Sequence, residues 1–205
     1  MKYLRRYTDG ERMTHWVTAI TFVLAGLSGL AFFHPSMYFF TNLFGGGPWT
    51  KILHPIIGLV MFVAFMLMAL HHWRDNVMKP GDAEWRAKAN DLLMGKHPAM
   101  PPAGKFNAGQ KILFWVLLVS MILLLVTGIA IWRPWFAPLL PIPLLRAAVL
   151  LHSVSAVVLI TMVIGHVYMS IWTKGSIRAM TRGTVPENWA RLHHPAWHRE
   201  MTQGK

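Results

Sequence analysis

Four stretches of the chain contain no Asp, Glu, Lys or Arg: Thr14 to Phe33, Ile52 to Trp73, Ile112 to Trp132 and Ala147 to Trp172. Each is rich in Leu, Ile, Val, Phe and Met, and each reaches the ~17–25 residues that a helix needs to cross a bilayer. The pattern therefore predicts four transmembrane helices in an all-α bundle. Glycines and serines inside the runs (Gly26, Ser28, Gly29, Gly58, Gly128) do not break them, because hydrocarbon offers the backbone no alternative to its own hydrogen bonds. Small residues also let a neighbouring helix or a flat cofactor come close. Packing and cofactor clearance are equally good readings of these glycines. The first run follows a basic start, as a secretory leader would. It is long for a leader's apolar core, and no small-x-small cleavage site closes it before His34-Pro35, so it reads as a retained span.

The polar segments between the runs set the orientation. Seventeen of the twenty Lys and Arg residues fall in the N-terminal tail (1–13), the middle loop (74–111) and the C-terminal tail (173–205). The other side holds Lys51, Arg133 and Arg146. Positive charge accumulates on cytoplasmic loops, which puts both termini in the cytoplasm. All eight acidic residues lie on the same side. The two outer connections, Pro35–Lys51 and Arg133–Arg146, carry prolines and Gly45-Gly46-Gly47-Pro48 and read as turns and surface caps. The middle loop predicts a short helix around Ala83–Leu93 and then a proline-containing stretch, His97–Gly104. No repeat and no separate soluble domain is visible, so residues 1–205 read as one membrane domain.

Composition narrows the chemistry. The chain has 205 residues, 54% of them hydrophobic and 14% charged, against ~25% charged in a soluble domain. A net charge of +12 would suit nucleic acid in a polar protein. Here it belongs to the loops that flank the spans. Cysteine is absent, which excludes disulfides, thiolate zinc sites, iron–sulfur clusters and covalently attached haem within this chain. Eleven histidines remain as metal ligands.

An imidazole inside a bilayer is costly and is a functional candidate for that reason. Four qualify: His15, His54, His152 and His166. His34, His71 and His72 stand at span ends, where an interfacial position is cheap. His97, His193, His194 and His198 lie in cytoplasmic segments and take no ligand role. His54 and His152 fall near the outer ends of the second and fourth spans, and His15 and His166 near the inner ends of the first and fourth. Fourteen residues separate His152 from His166. At ~1.5 Å and ~100° per residue they stand about 21 Å apart and within about 40° of one face. Two histidine pairs at two depths suit two stacked b-type haems, each with both axial positions filled, an arrangement for electron transfer. Trp16, Gly58 and Ser155 beside the ligands fit porphyrin edges or ordinary packing. A proton-linked transporter and a haem-free membrane anchor are the other readings. The spans carry no carboxylate, which weighs against a transporter.

The segments Thr14-His15-Trp16, Ile52-Leu53-His54-Pro55, Asn107-Ala108-Gly109-Gln110-Lys111, Thr127-Gly128, Ile131-Trp132-Arg133-Pro134, Lys174-Gly175-Ser176-Ile177 and His193-His194-Pro195 with Trp197 run in order along nearly the whole chain. Together they resemble the cytochrome b556 (gamma) subunit of respiratory formate dehydrogenase. The resemblance implies that His54 and His152 hold an outer haem b and His15 and His166 an inner one. It also implies a site for menaquinone or ubiquinone at Asn107, Gly109 and Gln110 beside His166. The implied partners are an iron–sulfur (beta) subunit and a molybdenum- or tungsten-containing catalytic (alpha) subunit, at a bacterial inner membrane. Formate would be oxidised on another subunit, and quinone reduced here. The cytochrome b of a nickel–iron hydrogenase shares this plan and stays open as an alternative. Asn107 also reads more plainly as the cap of the third span.

Overall fold

The computed structural model describes residues 2–96, 99–133 and 135–203. His97 and the start of the proline-containing stretch, Pro134 of the quoted motif, and Lys205 lie outside the described residues. Among the described residues, four helices are long and apolar enough to cross a membrane: α1 (Asp9–Phe33), α2 (Gly47–His71), α4 (Ala108–Ile131) and α5 (Ile142–Trp172). Each begins a few residues before one of the four expected spans; α1 and α5 end where the span was expected to end, α2 stops at His71 instead of Trp73, and α4 at Ile131 instead of Trp132. Shorter elements are β1 (Tyr3–Arg5), α3 (Pro80–Leu93), α6 (Ser176–Arg182), β2 (Thr184–Pro186), α7 (Glu187–His193) and α8 (Pro195–Gln203). The chain is an all-α, multi-pass membrane protein apart from two short strands among the described residues.

Side chains three residues inside a helix fix where two of the long helices start. Thr8 Oγ1 accepts from the Glu11 amide (3.3 Å), and Glu11 Oε2 accepts from the Thr8 amide (2.6 Å). The same reciprocal pair opens α4, where Asn107 Oδ1 accepts from the Gln110 amide (2.9 Å) and Gln110 Oε1 from the Asn107 amide (3.0 Å). Each pair satisfies two amides that the first helical turn leaves without partners. The expected cap at Asn107 is therefore present. α3 begins at Pro80, whose lack of an N–H costs nothing in a first turn, and Asp82 Oδ2 accepts from the Lys79 amide (2.7 Å).

The chain divides into two compact units. One comprises Met13–Met68 and Val116–Gly165, the greater part of the four long helices with the connections from α1 to α2 and from α4 to α5. Many large apolar side chains are exposed along its helices, among them Ile20, Val23, Val63, Leu67, Val126 and Ile164, as a lipid-facing surface requires. The buried positions within it include Ala25, Ser28, Ala31, Ala64, Phe65, Met121 and Leu159. Pro55 lies inside α2, one residue after His54.

The other unit comprises Met1–Arg12, Ala69–Trp115 and His166–Lys205. Here β1 pairs antiparallel with β2, Leu4 opposite Val185. Two strands of three residues are not stable alone. They are held by a core of Leu4, Tyr7, Ala179, Val185, Ala190 and Trp197. The polar tails thus fold against each other, which the sequence pattern does not predict: three residues are too few to display an alternation. Within the connection Pro35–Lys51, read as a turn, Pro35–Phe44 is a 3-10 helix with His34 as its cap, Nδ1 accepting from the Ser36 amide.

Arg6 and His194, both buried, stitch this unit together. The Arg6 guanidinium bonds the Lys105 carbonyl and lies over the rings of Tyr7, Trp189 and Trp197. His194 Nδ1–H donates to the Gly104 carbonyl (2.8 Å), and its Nε2 faces Arg6 Nη2 at 3.3 Å. The neutral imidazole satisfies both neighbours. Burial first, and Arg6 second, push its pKa down to about 3. An unfolded histidine titrates near ~6.5. Since the folded value is the lower one, its contribution to stability is complete above about pH 6.5 and is lost as pH falls toward 3. Limited proteolysis of the C-terminal tail is expected to speed up several-fold between pH 7 and pH 5. In His194→Asn, which keeps a donor for Gly104 and does not titrate, the acceleration should be clearly smaller.

Candidate haem site

The four long helices bring two of the four intramembrane histidines together. His54 of α2 and His152 of α5 have ring centroids 6.3 Å apart with planes inclined by 70°. Both line a cavity of about 500 Å³ whose walls include Gly26, Gly29, Gly58, Phe62, Leu125 and Gly128. Cofactor pockets typically span ~300–1,000 Å³ and are largely apolar.

One hydroxyl sets the tautomer of each imidazole. Ser28 Oγ lies 2.8 Å from His54 Nδ1, and Thr127 Oγ1 lies 2.9 Å from His152 Nδ1. Each hydroxyl donates its proton to a carbonyl of its own helix, Ser28 to Leu24 (2.9 Å) and Thr127 to Leu123. Its lone pair is then left to accept, so Nδ1 of the histidine must carry the hydrogen. The second ring nitrogen, Nε2, keeps its lone pair. This is the outer-shell arrangement that orients a metal-ligating histidine.

Glycine makes the approach possible. A Cβ on Gly29 would stand 3.3 Å from His54 Cε1, and one on Gly128 would stand 3.2 Å from His152 Cε1. Hydroxyl and glycine are adjacent in both cases: Ser28-Gly29 on α1 and Thr127-Gly128 on α4. A Cβ on Gly26 or Gly58 would meet nothing within 4 Å, and both residues line the cavity. The two readings of the glycines are thus divided by position. Gly29 and Gly128 admit an imidazole, and Gly26 and Gly58 leave open space.

The separation of the rings tests the fit of a haem iron. Two metal–imidazole bonds of ~2 Å in line, with about 1 Å more from each nitrogen to its ring centre, place the centroids about 6 Å apart. The observed centroid separation of 6.3 Å matches the spacing at which both imidazoles would hold one iron.

A family model for prokaryotic cytochrome b561 matches residues 6–183. The chain belongs to the prokaryotic cytochrome b561 family. Among curated relatives, the cytochrome b556(fdo) subunit of formate dehydrogenase from Escherichia coli K12 is 41% identical over 96% of this chain and 92% of its own. The formate dehydrogenase cytochrome b556 subunit of Haemophilus influenzae is 41% identical over 98% of this chain and 84% of its own. The nitrate-inducible cytochrome b556(Fdn) subunit of E. coli K12 is 38% identical over 95% and 90%. As a cytochrome b561 family member the chain is a haem b protein, and the His54/His152 cavity has the donors and the room for that group.

The remaining expected residues stand elsewhere in this cytochrome. His15 is half-buried on α1, its ring edge-on to Trp16 at 5.5 Å. His166 lies on α5, in the unit that also holds the Asn107 segment. Gly109 faces Trp85 of α3 closely: a Cβ there would stand 2.9 Å from Trp85 Cη2. Lys111, buried, pairs with Asp82 of α3 at 2.7 Å. α3 is therefore held against the first turn of α4. Of Trp16, Gly58 and Ser155, Gly58 lines the described cavity and the other two do not.

The hydroxyl partners were missed by sequence reasoning, although Ser28 and Thr127 stand beside glycines it singled out. Replacing Gly128 by Leu should push His152 aside and lower the haem content of the purified protein, read by a pyridine haemochrome assay. Gly10→Ala, where a Cβ meets nothing within 4 Å, should leave it unchanged.

Proposed function

We propose that this cytochrome is the di-haem electron-transfer subunit of a respiratory formate dehydrogenase, anchoring the complex and passing electrons to quinone. The observation that carries this reading is the pair His54/His152, each with Nδ1 held by a hydroxyl and Nε2 left for iron. The relatives' own names favour a formate dehydrogenase over a hydrogenase as the parent complex. A haem-free anchor or transporter has no use for paired imidazoles of matched tautomer in an apolar cavity.

His54 and His152 hold the outer haem, and His15 and His166 the inner one, the second pair resting on sequence spacing and family resemblance. When bound between two imidazoles, haem b supplies an iron that changes oxidation state by one electron without changing ligands. The chain's own part is to hold that geometry and keep water away. Ser28 and Thr127 fix the rings, and the apolar walls keep the cavity dry.

Menaquinone or ubiquinone takes its place at Asn107, Gly109 and Gln110 beside His166. The side-chain oxygens of Asn107 and Gln110 are engaged in the helix cap. Their amide NH₂ groups are the donors that a quinone carbonyl accepts from. The iron–sulfur subunit delivers electrons at the His54/His152 end, and a molybdenum- or tungsten-containing subunit oxidises formate. Both termini are cytoplasmic at the bacterial inner membrane, so electrons move inward. Moving one charge across the bilayer involves ~2.3 kcal/mol per 100 mV, which the redox drop must supply.

Asn107→Asp tests the quinone site without removing the cap, since a carboxylate still accepts from the Gln110 amide. Quinone reduction should fall at least about tenfold, the scale for leaving a buried polar partner unpaired, while haem content is retained. Unchanged quinone kinetics would contradict the site. Replacing His152 should remove the outer haem alone, and replacing His15 the inner haem alone. Loss of both haems, or of neither, in these variants would count against the assignment.

A further inference from the structure

His71 and His72 were expected to be cheap interfacial residues. The structure gives them a different setting. His72 is buried, with its side chain 8% exposed, and both imidazoles converge on one carboxylate. Glu11 Oε1 lies 3.2 Å from His71 Nε2 and 3.4 Å from His72 Nε2. Neighbouring residues on a continuous helix diverge by ~100°. These two converge because α2 ends at His71.

The carboxylate is aimed. Its other oxygen, Oε2, takes two hydrogen bonds from Thr8, from the amide at 2.6 Å and from Oγ1 at 2.8 Å. The cap that starts α1 thereby turns Oε1 toward the histidines. The three donor atoms lie within 4.8 Å of one another. Ligands on a tetrahedral ion with bonds of ~2.0–2.1 Å stand about 3.3 Å apart. Two of the three edges already have that length, and His71, with its side chain 62% exposed, has room to swing and shorten the third. Behind His72, Asp75 Oδ2 lies 3.6 Å from Nδ1, the atom that a ligating histidine turns to a carboxylate. The rings of Tyr7 and Phe106 stand edge-on to His72 at 6.0 and 5.5 Å and wall the cluster.

We propose that Glu11, His71 and His72 form a three-ligand site for a divalent transition-metal ion of the zinc class, with Asp75 orienting His72 and a fourth position left for water. One imidazole and one carboxylate oxygen would be weak; two imidazoles and an anchored carboxylate match the donor set of three-ligand zinc sites. Lys105 modulates it. Its Nζ lies 3.5 Å from both Glu11 Oε1 and Asp75 Oδ2, so the ammonium competes with a metal for the same negative charge. Bound metal would tie the first turn of α1 to the end of α2.

The test is Zn²⁺ titration of untagged, haem-containing protein in detergent, against a chromophoric chelator. The proposal predicts one tight equivalent per chain. His71→Ala and Glu11→Gln should weaken it by about 10-fold or more, the scale on which even outer-shell losses act. Lys105→Met should tighten it, and His198→Ala should leave it unchanged. His71 is exposed, so its variant is expected to keep its fold and haem spectrum whatever becomes of Glu11→Gln. Absence of a stoichiometric equivalent, or the same affinity in His71→Ala as in the wild type, would overturn the proposal.

Discussion

A neutral imidazole placed in hydrocarbon must have its ring N–H satisfied by the protein, because no water is there to do it. In this cytochrome the constraint is met twice by the same device. A hydroxyl on a facing helix donates to a carbonyl one turn back in its own backbone and accepts the hydrogen bond of the imidazole Nδ1–H. Much of the surrounding structure follows from it. The hydroxyls must lie within reach of the rings, so the next residue on each helix must be glycine. The rings must point inward, so the walls around them are apolar and small enough to leave a cavity. The arrangement also decides the chemistry, since only Nε2 remains available to a metal.

The second compact unit works by a different balance. Its polar groups are satisfied by charge and aromatic rings instead of by hydrocarbon-facing helices. Arg6 is the centre, reaching a loop carbonyl, a neutral histidine and three rings. Burying a guanidinium is expensive unless its neighbours accept from it or stack on it. The same unit contains the Asn107 segment, held by the Asp82–Lys111 pair and by Trp85 against Gly109. A segment proposed to meet quinone is thus braced by the loop helix α3.

What could be read in the sequence was what periodicity and charge report directly. Four uncharged runs became four long helices, and Asn107 became a cap. The equal depth of His54 and His152 follows from the shared direction of the second and fourth spans, each histidine lying near the start of its run. The resemblance to formate dehydrogenase cytochromes agreed with the relatives found across nearly the whole chain. Contacts made across helices were not legible. Ser28 and Thr127 look like any small residues in a span until the rotation of each helix is known. The β1–β2 pairing joins residues some 180 positions apart through strands of three residues, too short to leave a pattern. In the sequence His72 reads as interfacial because it ends a span, whereas in the structure Tyr7, Asp75 and Phe106 lie against it.

The cytochrome b561 family membership, the matched tautomers and the ring spacing converge on a protein that carries electrons within the membrane. Its central claim is a haem between His54 and His152 with a second between His15 and His166. The most direct measurement is the haem-to-polypeptide ratio of purified protein made with ample haem, taken together with the low-temperature EPR spectrum of the oxidised form. Two haems per chain, both low-spin as paired imidazoles require, are predicted. A ratio near zero, or high-spin iron with an open axial position, would contradict the account.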